Sequence, residues 1–459
     1  MFRRHFTPLR SWLDRPDRKP LILRGARQVG KSTLVRLFAE RWERPLTEIN
    51  LERHPDLGPA FARNDPAHLL RTLEALPGVR PIGRRSLLFL DEIQAVPEAL
   101  PALRYLREDR GDLPVLAAGS LLDFALAEHR LGMPVGRVAY LHMGPMTFTE
   151  FLRGAGEERL AELISTFEIG RGLDPALHNR LLERLRTYLF IGGMPEAVAA
   201  FARSGRLREA SEVHHSIIET YREDLPRYVG SRSLARIVQV FNLAARYTGR
   251  KVKYVHFARD VRAATIREDI ARLCLARVLL RVTHSACGGL PLQAEADAKV
   301  YKLLFLDVGL MNAVCGLDWR SIGALDSIRL VNEGAMAEQF IGQHLQELLA
   351  GAANRELTYW LRERRSANAE VDFVVALGGR IVPVEVKAGA SGSLKSLHQF
   401  MARKRAPVAV RFDAAPPSVQ EVGTVVRENG RRSEVSYRLL SLPLYLVERL
   451  PAILASLPR

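Results

Sequence analysis

Residues Gly25 to Ser32 read Gly-Ala-Arg-Gln-Val-Gly-Lys-Ser, a complete G-x-x-x-x-G-K-[ST] run between the apolar Pro20-Leu21-Ile22-Leu23 and the helix-like Thr33-Leu34-Val35-Arg36-Leu37-Phe38. A strand feeding a glycine-bearing turn that opens a helix leaves few architectures, since such a turn belongs at the C-terminal edge of a parallel sheet. Gly25 and Gly30 let backbone N–H groups approach and wrap a triphosphate, with Ala26, Arg27, Gln28 and Val29 as the rest of the wrap. Lys31 reaches the β- and γ-phosphates, and the Ser32 hydroxyl, followed by Thr33 at a helix N-terminus favourable to anions, ligates Mg²⁺. The run predicts binding of a nucleoside triphosphate.

A second acidic element follows on the apolar run Ser86-Leu87-Leu88-Phe89-Leu90, which ends in Asp91-Glu92. Here Asp91 is expected to hold Mg²⁺ through water and Glu92 to orient and deprotonate the attacking water. Taken alone, the pair also fits a helix N-cap and a first-turn acid. A third run, Pro114-Val115-Leu116-Ala117-Ala118, ends in Gly119-Ser120, where Ser120 either touches the γ-phosphate or lytic water, or caps the next helix. Strands near 20–24, 45–50, 86–91, 114–118 and 138–142 make residues 1–146 a doubly wound α/β domain.

These elements, with Gly136-Arg137 directly before Val138-Ala139-Tyr140-Leu141, resemble AAA-type P-loop ATPases. More narrowly, residues 25–32, Leu90-Asp91-Glu92-Ile93-Gln94 and Gly192-Gly193-Met194-Pro195-Glu196 resemble a prokaryotic ATP-binding family in which an AAA-like ATPase is joined to a C-terminal domain of unknown function. The resemblance implies ATP as the nucleotide. It also implies that Arg137 reaches the nucleotide of a neighbouring subunit, which makes a homo-oligomer the active form. Arg137 reads otherwise as a surface arginine. Gly193-Met194-Pro195 would bring Pro195 to the nucleotide base, or simply mark a helix-terminating turn.

The apolar spacing from 147 to 232 is helical and occupies the lid position of such an ATPase. Residues 233–320 fit a winged helix. Its third helix lies over Thr265–Leu273, with Arg262 and Arg267 exposed near the start, and its wing strands are Leu279–Val282 and Val300–Phe305. This segment either binds duplex DNA or packs between domains, and Glu268 and Asp269 weigh against the first.

Residues 321–459 resemble the restriction-endonuclease-like D…E-x-K nuclease core. Ala369–Val375 and Ile381–Lys387 read as adjacent strands joined by a Gly378-Gly379-Arg380 turn. Alternation places Asp372 and Glu385 to share a metal ion, Lys387 on the same strand face to steady hydroxide or the scissile phosphate, and Glu338 on an upstream helix to complete the site. A solvated hairpin with a cross-strand ion pair produces the same pattern without function.

With 67 Lys and Arg against 51 Asp and Glu, the net charge is +16, and DNA is the expected partner. An arginine- and alanine-rich composition is also how GC-rich genomes write ordinary proteins. No run of eighteen apolar residues and no leader-like N-terminus appears, so the expectation is a cytoplasmic chain without a membrane span. The three cysteines lack zinc spacing and read as buried reduced thiols. His214, His215 and His284 lack partners at metal spacing. The combined expectation is an AAA-type ATPase acting on DNA with a Mg²⁺-dependent nuclease domain. Its alternative is a nucleotide-dependent switch or scaffold whose nuclease-like domain binds without cutting.

Overall fold

Short apolar runs without alternation are buried on both faces, as parallel strands covered by helices require. Of the first five strands, the central three are of this kind, β1 (Leu21–Arg24), β3 (Leu87–Asp91) and β4 (Val115–Ala118), whereas the flanking β2 (Leu46–Asn50) alternates buried and half-buried residues and β5 (Ala139–His142) is half-buried to exposed. All pair in parallel, in the order β2-β3-β4-β1-β5. The structure is a computed structural model and describes residues 2–120, 122, 136–227, 233–321, 333–349, 356–363, 368–388, 394–428 and 431–457. Two compact units emerge. One is Met1–Gly144 with Leu275–Val278; the other is Pro145–Cys274 with Leu279–Arg459.

In the first unit, Ile22, Leu88, Leu90 and Ala117 from the sheet pack with Leu69 and Leu73 of helix Pro66–Glu74 and Leu100 and Leu103 of helix Ala99–Asp109. Each leucine fully withdrawn from water contributes about 2 kcal/mol. Helix Pro66–Glu74 starts where it does because Asp65 accepts the His68 N–H and Pro66 needs no N–H partner.

The second unit combines helices with an eight-stranded sheet. Its strands are β6 (Leu279–Ser285), β7 (Ala296–Phe305), β8 (Leu357–Arg362), β9 (Ala369–Leu377), β10 (Arg380–Val386), β11 (Val408–Asp413), β12 (Ser418–Glu428) and β13 (Arg431–Pro443). The order is β12-β13-β11-β10-β9-β8-β6-β7. The turn between β9 and β10 is a two-residue hairpin with Gly378 and Gly379 both at positive φ, 57° and 75°, which only glycine adopts cheaply in succession. The expected wing strands do pair antiparallel, but β6 also pairs parallel with β8, so the hairpin is built into the C-terminal sheet. The helices from Phe148 to Asp224 and the segments on either side of residue 320 therefore share one compact unit. The four segments delineated from sequence do not map one to one onto the two units, because Leu275–Val278 lies within 233–320 yet belongs with the first unit.

Helix Glu333–Leu348 packs closely on this sheet, Gly342 leaving room for Leu304 and Phe373. Helix Lys395–Lys404 supplies Leu397, Phe400 and Met401 to a core with Val371 and Val374. Those two valines sit three positions apart in one core because the β8–β9 register slips between Thr358 and Trp360. There β9 advances three residues for two of β8, an extra residue at Asp372-Phe373.

Candidate functional site: the phosphate loop and a C-terminal acid cluster

In the first unit, β1 delivers the chain into the loop at residues 25–30, and helix Lys31–Arg41 begins immediately after it. Gly25 has φ +157° and a Cβ there would strike the Met143 carbonyl; Gly30 has φ +88°. Both positions need glycine. Lys31 is only 7% exposed, and its Nζ donates to the Gly25 and Ala26 carbonyls at 3.1 and 2.8 Å. Burial pushes its ammonium down to about 8, although Glu92 and Asp91 oppose the shift.

The Ser32 hydroxyl donates to Asp91 Oδ2 at 2.7 Å, which joins the phosphate loop to the end of β3. Burial raises the Asp91 pKa, and the Ser32 bond opposes that. Glu92 adopts a left-handed conformation, φ +51°, unusual outside glycine and frequent where a side chain must be aimed. Its Oε2 accepts from Gln94 Nε2 at 2.6 Å and from the Ser120 hydroxyl at 3.4 Å. Strand β4 runs between β1 and β3, so Ser120 just beyond its end reaches that carboxylate. The helix that Ser120 was expected to cap lies outside the described residues, apart from Leu122.

The structure thus brings Lys31, Ser32, Asp91, Glu92 and Ser120 together at one end of the parallel sheet. Arg27 and Gln28 are half-buried in the loop and Thr33 is exposed on the first helical turn. Arg137 is elsewhere. It precedes β5, whose first residue Ala139 is level with Leu21 at the start of β1, so it stands at the sheet edge opposite its own phosphate loop. Its Nε donates to Glu108 Oε1 at 3.0 Å on the surface. The loop residues fit a nucleotide with Mg²⁺: a buried ammonium spent on loop carbonyls, an approach path that admits no Cβ, and a hydroxyl–carboxylate pair of the donor type Mg²⁺ takes.

Pro195 belongs to the second unit, at the first turn of helix Pro195–Ser204. The Gly192-Gly193-Met194 turn before it is buried and crowded. Gly193 N donates to Asp307 Oδ2 at 2.7 Å, Met146 N donates to the Gly193 carbonyl at 2.6 Å, and the Tyr188 hydroxyl donates to the Met146 carbonyl at 2.6 Å. Asp307 also caps helix Val308–Val314 by accepting from Gly309 N and Leu310 N.

Arg262 and Arg267 are exposed, as read from the sequence. Asp269 is not a solvated acid: it is fully buried and paired with Arg236 at 2.5 Å and Arg272 at 3.2 Å. His214 and His284 serve packing, the first through its Nε2 and the Ile191 carbonyl at 2.8 Å, the second accepting on Nδ1 from Leu361 N at 3.2 Å. All three cysteines are free thiols; Cys287 is buried, whereas Cys274 and Cys315 are half-buried.

The C-terminal acids do gather, around a residue the sequence did not single out. Lys302, from β7, is fully buried, and its Nζ donates to Glu338 Oε1 at 2.5 Å and Glu370 Oε1 at 3.0 Å. Asp372, re-aimed by the extra residue of β9, accepts from Val386 N on Oδ2 at 2.7 Å. Glu385 is level with the Asp372 region of β9 and takes Lys387 Nζ on Oε1 at 2.6 Å. Burial pushes the Glu338 carboxyl up to about 8 and that of Glu385 up to about 7, and raises Asp372, while Lys302 opposes all three shifts. Among the described residues, no three Asp, Glu, His or Cys side chains are arranged to hold a metal ion. The expected set of Glu338, Asp372 and Glu385 therefore does not fit Mg²⁺ as arranged. The sequence signal for Lys302 was slight: one lysine inside the apolar run Val300-Tyr301-Lys302-Leu303-Leu304-Phe305.

With this geometry in place, residues 17–152 match a family model described as "AAA domain". The match and the complete phosphate loop define a P-loop ATPase domain of AAA type. Two later stretches match families without an assigned role, "Domain of unknown function (DUF8612)" over residues 182–321 and "Domain of unknown function (DUF4143)" over residues 333–445. None of the curated proteins matches the chain. Among solved structures, it resembles the Aeropyrum pernix ORC2 protein as ADPNP–ADP complexes (TM-score 0.34) and in its ADP form (TM-score 0.32). In each case identity is 13%, with 70% of this chain and 96% of the other covered, a likeness too slight to assign fold or function. No described helix is long and apolar enough to cross a membrane.

Proposed function

We propose that this chain hydrolyses ATP in the first unit and works on DNA as a homo-oligomer. The observation that carries the catalytic part is the 2.7 Å bond between Ser32 and Asp91 beside the buried Lys31. In this reading, Lys31 exchanges the Gly25 and Ala26 carbonyls for the β- and γ-phosphates, and the loop N–H groups hold the triphosphate. Ser32 and Asp91 would hold Mg²⁺, which would supply positive charge against the phosphates. Glu92 takes a proton from the attacking water, with its Oε2 held by Gln94 and Ser120. Arg137, at the far edge from its own loop, serves the nucleotide of a neighbouring subunit after leaving Glu108. Pro195 meeting the base belongs to the same reading. The decisive experiment is ATP hydrolysis by the purified chain beside Lys31→Ala, with and without DNA. Hydrolysis lost in Lys31→Ala and stimulated by DNA is the expected result; none in the unmodified chain, under either condition, refutes the proposal.

The partner is DNA on the strength of the +16 charge and the exposed Arg262 and Arg267, and the compartment is the cytoplasm. For the C-terminal sheet, Mg²⁺-dependent cleavage requires Glu338, Asp372 and Glu385 on one ion with Lys387 beside it. A specific observation favours the other reading, recognition without cutting: the Lys302 ammonium is already lodged between Glu338 and Glu370. Incubation of supercoiled and branched DNA with Mg²⁺ and ATP separates the two, and cleavage abolished by Asp372→Ala would refute the non-cutting reading.

A further inference from the structure

We infer that Lys302 is the resident cation of the C-terminal acid cluster, tethered by its own backbone where a divalent ion would sit, so that the cluster stays charge-compensated without loading Mg²⁺. The inference rests on the non-cutting reading and supplies its cause. A buried ammonium is tolerated only when paired and hydrogen-bonded, and Lys302 meets that condition with two carboxylates and two ring faces, Tyr359 at 4.9 Å and Phe373 at 5.4 Å.

Glu338 is turned towards Lys302 and the Gly249 backbone. Its Oε1 takes Lys302, and its Oε2 lies 2.5 Å from where a Cβ on Gly249 would stand, so backbone covers that side. Gly249 itself is held by its N–H to the Leu303 carbonyl at 3.0 Å, beside Lys302 on β7. Asp372 gives Oδ2 to the Val386 amide and Glu385 gives Oε1 to Lys387. Glu385 Oε2 remains as a buried oxygen without a hydrogen-bond partner. Hard divalent cations want several oxygens converging at once. With Glu338 withdrawn, only Asp372 and Glu385 remain of the expected set.

The test measures Mn²⁺ binding to the full chain by the electron paramagnetic resonance of free Mn²⁺, without nucleotide and in an Asp91→Asn background that removes the ATPase-site carboxylate. The background protein is expected to show no Mn²⁺ site that depends on Asp372. Adding Lys302→Met should create one, at least about tenfold tighter than any binding in the background and abolished by Asp372→Asn, because the like charge that repels an ion is gone. If Lys302→Met fails to fold, Lys302→Gln removes the charge while keeping a hydrogen-bonding group there, and leaves Glu338, Asp372 and Glu385 for the ion. A Mn²⁺ site in the background protein that Asp372→Asn abolishes overturns the inference; so does a folded Lys302 variant that gains none. Such a site in the background protein, without DNA cleavage, would overturn this inference alone and leave the non-cutting reading standing.

Discussion

Lys31 holds its charge in a nearly dry place, and this sets how ATP binding depends on pH. In the free chain its ammonium titrates at about 8. Below that pH the charge is already present for the phosphates; above it, binding must first take up a proton. ATP affinity should therefore be level up to about pH 8 and then fall by about tenfold per pH unit, measured by calorimetric titration. Glu92 makes a sharper prediction: Glu92→Gln should lower hydrolysis by about 10²–10⁴-fold while leaving ATP binding near normal, read from single-turnover assays beside binding titrations. Both residues were legible in the sequence, because fixed spacing within a short run carries their geometry. Lys302 was not. Its acids lie 36 and 68 positions away, and only the fold brings them together.

The same contrast holds for elements. Each of the five parallel strands was legible to within a residue, beginning one position later than expected, and the central three owe this to continuous apolar runs. The extra residue of β9 had no sequence mark, so simple alternation misplaced the surroundings of Asp372. Asp307 is a further element-scale device, stitching the Gly192-Gly193 turn to the start of helix Val308–Val314 through three backbone N–H groups. Burial pushes its carboxyl up to about 6, so part of what those bonds contribute is offset. Asp307→Ala should still cost about 2 kcal/mol in urea unfolding, because three buried donors lose their acceptor. His214 links helix Leu207–Asp224 to the end of helix Pro175–Ile191. Burial lowers its pKa from 6.5 to about 4, so the folded chain keeps it neutral while the unfolded chain takes up a proton between those values. Its contribution is therefore complete above pH 6.5 and is lost as the pH falls towards 4, by up to about 3 kcal/mol. Urea midpoints of His214→Gln should fall less steeply over that range than those of the unmodified chain.

At the scale of the whole molecule, the +16 charge predicts DNA association that weakens linearly on a log–log plot against salt, with a slope of about −0.9 per phosphate contacted. A flat salt response in filter binding would remove DNA as the electrostatic partner. Large-scale organisation was the least legible level: helical periodicity located the segments after residue 145, but only hydrogen-bond pairing reveals that β6 and β7 share a sheet with β8 to β13. That sheet crosses the boundary between the two families without an assigned role, whose matches end at 321 and resume at 333. A gene rearrangement that kept only the later stretch would bare the buried edge of β8 and strand Glu338 and Glu370 without their lysine. The two stretches thus complete one another physically, each supplying what the other would leave bare.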